Sequence, residues 1–359
     1  MYKRQCYTKE NNQENHKMGR IEYLDAIKGF AIILVVFGHV LAWNFTDLNT
    51  IMHPVVFEDI RFGLVWNLIY SFHMALFFMV SGYLTNLDNK SKFQFIKKKT
   101  HRLLVPYITT GFLILIVRGH YGYWFFLSLF ELFLMVAFVE AIYKLLKWKR
   151  NVIIDVTIAF VLWMLLYILH KTASLDTIVG DFGKFISYYP PFMLGYFMRK
   201  YPNIFGKLVL RRNYSFYLIA FIVMFAFHYS YLVPLPIIMG KILITISGIM
   251  IQIVGSLLVF SIFNRFSITT NVHEFYGLIH NRLSMIGQYS MDIYILHILF
   301  VMTIPQIEKF MRNSLDFMST ICFQIIYSSF FAAFAILMSI IIAKIIRNSN
   351  CLNRLILGN

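Results

Sequence analysis

Tyr23-Leu-Asp-Ala-Ile-Lys28-Gly-Phe-Ala-Ile-Ile-Leu-Val-Val-Phe-Gly-His39-Val-Leu-Ala-Trp43 is an apolar run broken by three ionisable side chains, Asp25, Lys28 and His39. About 18 to 25 such residues cross a hydrocarbon layer of roughly 30 Å as a helix. Runs of this kind recur along the whole chain of 359 residues, in which 59% of residues are hydrophobic and only 14% charged. With a mean hydropathy of +0.66, water cannot be the main solvent for this surface. The fold class follows: an all-α polytopic membrane protein.

Working outward from the first run, ten spans are predicted: Ala26 to Trp43, Trp66 to Asn86, Leu103 to Val117, Tyr121 to Tyr143, Val152 to Leu169, Phe185 to Met198, Tyr214 to Tyr231, Pro236 to Phe263, Ile286 to Ile304 and Thr320 to Ile346. The sixth contains Pro190-Pro191 and is expected to be broken there. Of the 33 Lys and Arg, 24 belong to the alternate connections that begin with the N-terminus and 6 to the others, with Lys28, Lys241 and Lys344 inside spans. That bias is the one cytoplasmic loops carry, so both termini are expected in the cytoplasm. Residues 1–20 read as a disordered lead-in, 21–348 as one transmembrane domain and 349–359 as a cytoplasmic tail. The net charge of +16 is dealt out by loop rather than gathered on one wet face, which argues against nucleic acid. Cys6, Cys322 and Cys351 are widely spaced and suggest neither disulfides nor thiol chemistry.

Ionisable groups inside spans are costly, so each invites a functional hypothesis and a partner. Eleven residues bring His39 back to within about 20° of Lys28 and roughly 16 Å deeper. One helix face thus offers a cation at the inner mouth and an imidazole within the membrane. A large donor gripped by its phosphates would reach the histidine; the bland alternative is a snorkelling lysine and a helix-bonding imidazole. Asp25 is placed to pair with Lys28 at i, i+3. In Ser71-Phe-His73-Met-Ala-Leu-Phe-Phe-Met-Val-Ser81-Gly-Tyr83, His73 falls near the depth of His39. No further ligands stand at a zinc-like spacing, and no metal is expected. Lys97-Lys-Lys99-Thr-His101-Arg102 reads either as a lipid anchor or as a phosphate cradle in which Arg102 forks onto oxygens. Glu131 lies near the middle of the fourth span, and Asp292, Tyr294 and His297 occupy the ninth. Asp292 and His297 are about 500° apart and need separate partners. Glu131, Tyr294 and His297 are candidates for contacts to substrate.

These pieces resemble the membrane acyltransferase family known as acyltransferase 3, particularly its O-acetyltransferases of surface polysaccharides and nodulation-type glycans. The likeness rests on Lys28 and His39 as a basic residue, ten residues and a histidine; on Phe72 to Tyr83; on Lys99 and Arg102 before the third helix; on Phe192-Met-Leu-Gly-Tyr196; and on Ser290 to His297. The paired glutamates of one branch are missing, with Trp124 to Glu131 a loose counterpart, and there is no hydrolase-like C-terminal domain. The resemblance implies acetyl-CoA as donor, a saccharide hydroxyl as acceptor and a multi-pass protein of a bacterial inner or plasma membrane. An imidazole, titrating at about 6.5, suits a general base at neutral pH. His39 takes that role, Asp25 or His73 orients the site, and Lys28, Lys99 and Arg102 hold the donor's phosphates. Other partners are membrane lipids, with self-association left open. A glycan transporter or flippase would also want a cavity lined by His39, His73, Glu131 and His297, and a scaffold would spend the same charges on helix pairing.

Overall fold

The structure, a computed structural model, describes residues 2–45, 60–87, 91–118, 123–147, 149–173, 182–209, 213–230, 237–269 and 274–358. Among them no strand occurs. In chain order the α-helices of seven residues or more are α1 (Tyr2–Phe45), α2 (Ile60–Tyr70), α3 (His73–Tyr83), α4 (Lys92–Lys99), α5 (Val105–Arg118), α6 (Trp124–Leu146), α7 (Val152–Ala173), α8 (Phe182–Lys200), α9 (Tyr214–Ser230), α10 (Ile237–Thr269), α11 (Glu274–Gln288), α12 (Ser290–Leu296), α13 (Pro305–Ser314) and α14 (Phe317–Arg347).

Among the described residues six helices are long and apolar enough to cross a membrane, or seven if the bent pair Pro202–Val209 and Tyr214–Tyr229 is one span, where ten spans are expected of the whole chain. Hydropathy registers composition, whereas continuity depends on local breaks. The third expected span is the 14-residue α5, preceded by a π-helical turn, Thr100–Leu104. The ninth is divided at Tyr289 and again at the 3₁₀ turn His297–Leu299. Conversely, α8 passes through Pro190-Pro191 without interruption. Along α1 the helical path crosses the boundary placed at residue 20, and the side chains of residues 1–22 lie outside the described residues.

The core forms where helices approach most closely. A Cβ on Gly29 of α1 would land on the backbone oxygen of Leu283 in α11, and one on Gly287 would land on that of Asp25. Gly82 of α3 and Gly195 of α8 stand in the same reciprocal relation, against Phe192 and Met79. Small residues let transmembrane backbones touch and gain dispersion contacts that lipid does not supply. These crossings seat α1 and α3 in the middle of the bundle, buried through Ile27, Val36, Leu76 and Phe78. By contrast, only 11% of the apolar stretch of α7 is buried. The last residues, expected as a tail, turn back: Thr109 Oγ1 donates to the Leu355 carbonyl at 2.5 Å and Leu357 is buried. Gly358, at φ +67°, packs so closely on His101 and Arg102 that a side chain would clash.

Candidate active site

α1 carries Lys28 one turn into the bundle, ion-paired to Asp25 at 2.5 Å across i, i+3 as its spacing predicts. The π-helical turn after α4 swings Lys99 and Arg102 toward the same place; such widened turns often accompany functional sites. Lys99 lies 3.8 Å above the centre of the Phe133 ring, a cation held on an aromatic face. Lys28, Lys99 and Arg102 all line one cleft of about 840 Å³ of empty space, its open mouth included. No carboxylate is among its lining residues, which add Ser81, Ser290 and apolar side chains from α3 and α6. Three cations above an apolar floor make a well for an anion with an apolar extension.

The floor ends at Tyr294, whose ring centre stands 5.9 Å from that of His297. Beyond it two imidazoles meet: His39 Nδ1 and His297 Nε2 are 2.7 Å apart, with nearly coplanar rings. His297 Nδ1 lies 2.9 Å from the carbonyl oxygen of Ile293. A carbonyl only accepts, so His297 Nδ1 is the protonated nitrogen and its Nε2 accepts. His39 Nδ1 must then donate, and the lone pair of His39 falls on Nε2. Its ring is steadied by stacking with Trp43. His73 Nδ1 likewise donates to the Ile69 carbonyl at 2.8 Å, leaving Nε2 as its acceptor, and its ring meets the edge of Tyr70.

Of the residues singled out in the sequence, Lys28, Lys99, Arg102 and Tyr294 come together in the cleft, while His39 and His297 form a pair behind Tyr294. Asp25 reaches the site only through Lys28. Asp292 and His297 do have separate partners, Asp292 accepting from Arg347 at 2.5 Å. Glu131 is half-buried on the side of α6 away from the cleft-lining Phe125, Leu129 and Phe133, so the structure does not bring it to this site. Sequence reasoning passed over Arg347, for which the only signal was a cation at the end of the last span. It also passed over a second charged cluster. There Lys200 bridges Glu140 at 3.0 Å and Asp155 at 2.7 Å, Arg150 pairs with both acids, and Tyr196 and Tyr201 donate to Glu140 and Asp155. Lys92 adds a bond to the Glu140 carbonyl; burial lowers its pKa against the pull of Glu140. Two acids and three cations gather here, and the two carboxylates pair with Lys200 and Arg150. Among the described residues no three His, Cys, Asp or Glu side chains converge as metal ligands would.

Neither the curated proteins nor the solved structures give a significant match. A family model described as an acyltransferase domain, acyltransferase 3, matches residues 21–344, from just before Tyr23 to the last turn of α14. That stretch takes in both the cationic cleft and the imidazole pair behind it, and the chain belongs to the acyltransferase 3 family of membrane acyltransferases.

Proposed function

We propose that this protein moves an acetyl group from acetyl-CoA to a hydroxyl of a cell-surface or lipid-linked saccharide, with His39 as general base. The observation that carries this reading is the hydrogen-bonded series from His39 through His297 to the Ile293 carbonyl, which leaves the lone pair on His39 Nε2. Lys28, Lys99 and Arg102 hold the phosphates of the donor at the mouth of the cleft, and the pantetheine arm runs over its apolar floor toward Tyr294. His39 Nε2 takes the proton of the acceptor hydroxyl as its oxygen attacks the thioester carbonyl. The tetrahedral adduct collapses, the carbon–sulfur bond breaks, and the CoA thiolate recovers the proton from His39. While His39 is an imidazolium, its Nδ1 proton still points at the His297 Nε2 lone pair, a charge-assisted bond that favours the step. Asp25 positions Lys28, and His73 stands by as a neutral acceptor.

The test is transfer of labelled acetyl from acetyl-CoA to a saccharide acceptor by the purified, detergent-solubilised protein. His39→Ala is expected to lower turnover by about a hundredfold or more, the scale of a lost general base. Turnover equal to wild type would remove His39 from the mechanism. Acetyl-CoA is expected to raise the melting temperature through binding to the folded form; no shift and no transfer would favour a glycan transporter instead.

A further inference from the structure

On the half of α14 that lies beside the end of α1, Thr320, Gln324 and Ser328 are each 0% exposed. They stand four residues apart, so their side chains form a row on one helix face. Among the described residues, Thr320 Oγ1, Ser328 Oγ and both ends of the Gln324 amide have no hydrogen-bond partner. The other half of the same helix behaves ordinarily: Ser339 Oγ donates back to the Ala335 carbonyl at 2.7 Å. Buried amides and hydroxyls left unpaired are expensive, so such a row calls for partners that the helix itself does not supply.

The position of the row can be read from its neighbours. Tyr327 donates to Asn44 Oδ1 at 3.3 Å, and Phe323 packs on Phe45, so α1 and α14 run antiparallel side by side. His39 is five residues inward from Asn44 and Ser328 one inward from Tyr327, so the two lie within about 6 Å of each other's level. The turn carrying His297 also packs on α14. From Ser328 the row runs about 12 Å outward to Thr320, away from Lys28. It therefore approaches the imidazole pair from the end opposite the cationic cleft. Its chemistry is neutral, an amide and two hydroxyls that both donate and accept, beside the stacked rings of Phe323 and Tyr327.

We infer that Thr320, Gln324 and Ser328 bind the hydroxyls of a neutral, polyhydroxylated acceptor that enters from the face of the bundle remote from Lys28. This rests on the acyl-transfer reading for its purpose, but its test does not. In full-length protein with Cys6, Cys322 and Cys351 changed to Ala and reconstituted in liposomes, Ser328→Cys, Gln324→Cys and lipid-facing Ile326→Cys are treated with a charged methanethiosulfonate. The first two are expected to react at least tenfold faster than the third, and only from the side remote from Lys28. Ser328→Cys exchanges an oxygen for a sulfur and keeps the packing should Gln324→Cys fail to fold. Glucose at high concentration is expected to slow the reaction severalfold beyond betaine of equal osmolarity. Cysteines as unreactive as Ile326→Cys, or reactive only from the Lys28 side, would overturn the site; equal protection by glucose and betaine would overturn its polyol class. An acetyl-CoA melting shift on the same proteins reads the donor separately, so each idea can fail alone.

Discussion

Two charged regions of this bundle are built from the same residue types and do opposite things. In the cluster joining α6, α7 and α8, Glu140 and Asp155 are matched by Lys200 and Arg150, and Tyr196 and Tyr201 each donate to one oxygen of an acid, Glu140 Oε1 and Asp155 Oδ2. In the cleft, Lys28, Lys99 and Arg102 line open space with no carboxylate among the lining residues, and Asp25 is ion-paired to Lys28. A network whose acids and cations pair with one another clamps helices and leaves little net charge for a guest in the small cavity its side chains line. A surplus of one sign facing a cleft asks for one. Charge within a membrane protein marks a site through its imbalance rather than its presence.

The comparison can be broken most forcefully at Lys200. Lys200→Met leaves Asp155, 3% exposed at its side chain, short of its nearest cation, and removal of one member of a buried pair costs about 3 to 5 kcal/mol. A large fall in melting temperature, with the donor KM of the surviving protein unchanged, is expected; an unchanged melting temperature would mean the cluster is no clamp. His297→Ala comes next. Loss of the acceptor for His39 Nδ1–H frees the ring to turn, and turnover should drop about ten- to a hundredfold with stability preserved. A drop no larger than twofold would separate His297 from the base.

Arg102→Ala is the counterpart of Lys200→Met with the readouts exchanged: a donor KM raised about tenfold, near 1.4 kcal/mol, at an unchanged melting temperature. Raising salt should weaken acetyl-CoA binding in the open cleft and barely affect the closed cluster, because exposed charges are screened more than buried ones. If Arg102→Ala binds acetyl-CoA like wild type, the phosphate assignment is wrong. Smallest of all should be Glu131→Gln, under about threefold in any kinetic constant, since Glu131 faces away from the cleft. A larger effect would mean that α6 presents a second functional face.

Features governed by helical arithmetic were legible in the sequence. The Asp25 and Lys28 contact follows from i, i+3, and the separate partners of Asp292 and His297 from their angle. Glu131 shows the limit of the same method. Depth along the chain identified a midplane carboxylate, but which way α6 turns it depends on what packs against Phe125 and Phe133. Windows of composition do not register local breaks such as those at Tyr289 and in the π-helical turn after Lys99, whereas the chain around Ser71-Phe72 still makes one apolar span, Gly63–Tyr83.

By itself, then, the sequence determined the solvent of this protein, its helical class and the family it belongs to, because these depend on composition and on short spacings within single helices. Only the tertiary structure decided that His39 is paired with His297, 258 residues away, and which of its nitrogens keeps the lone pair. The same holds for the closing of Glu140 onto Lys200 and for the unpartnered row on α14. Such features arise where separate helices meet, and that meeting is set by reciprocal glycine crossings and by the matching of whole faces, which no local period encodes.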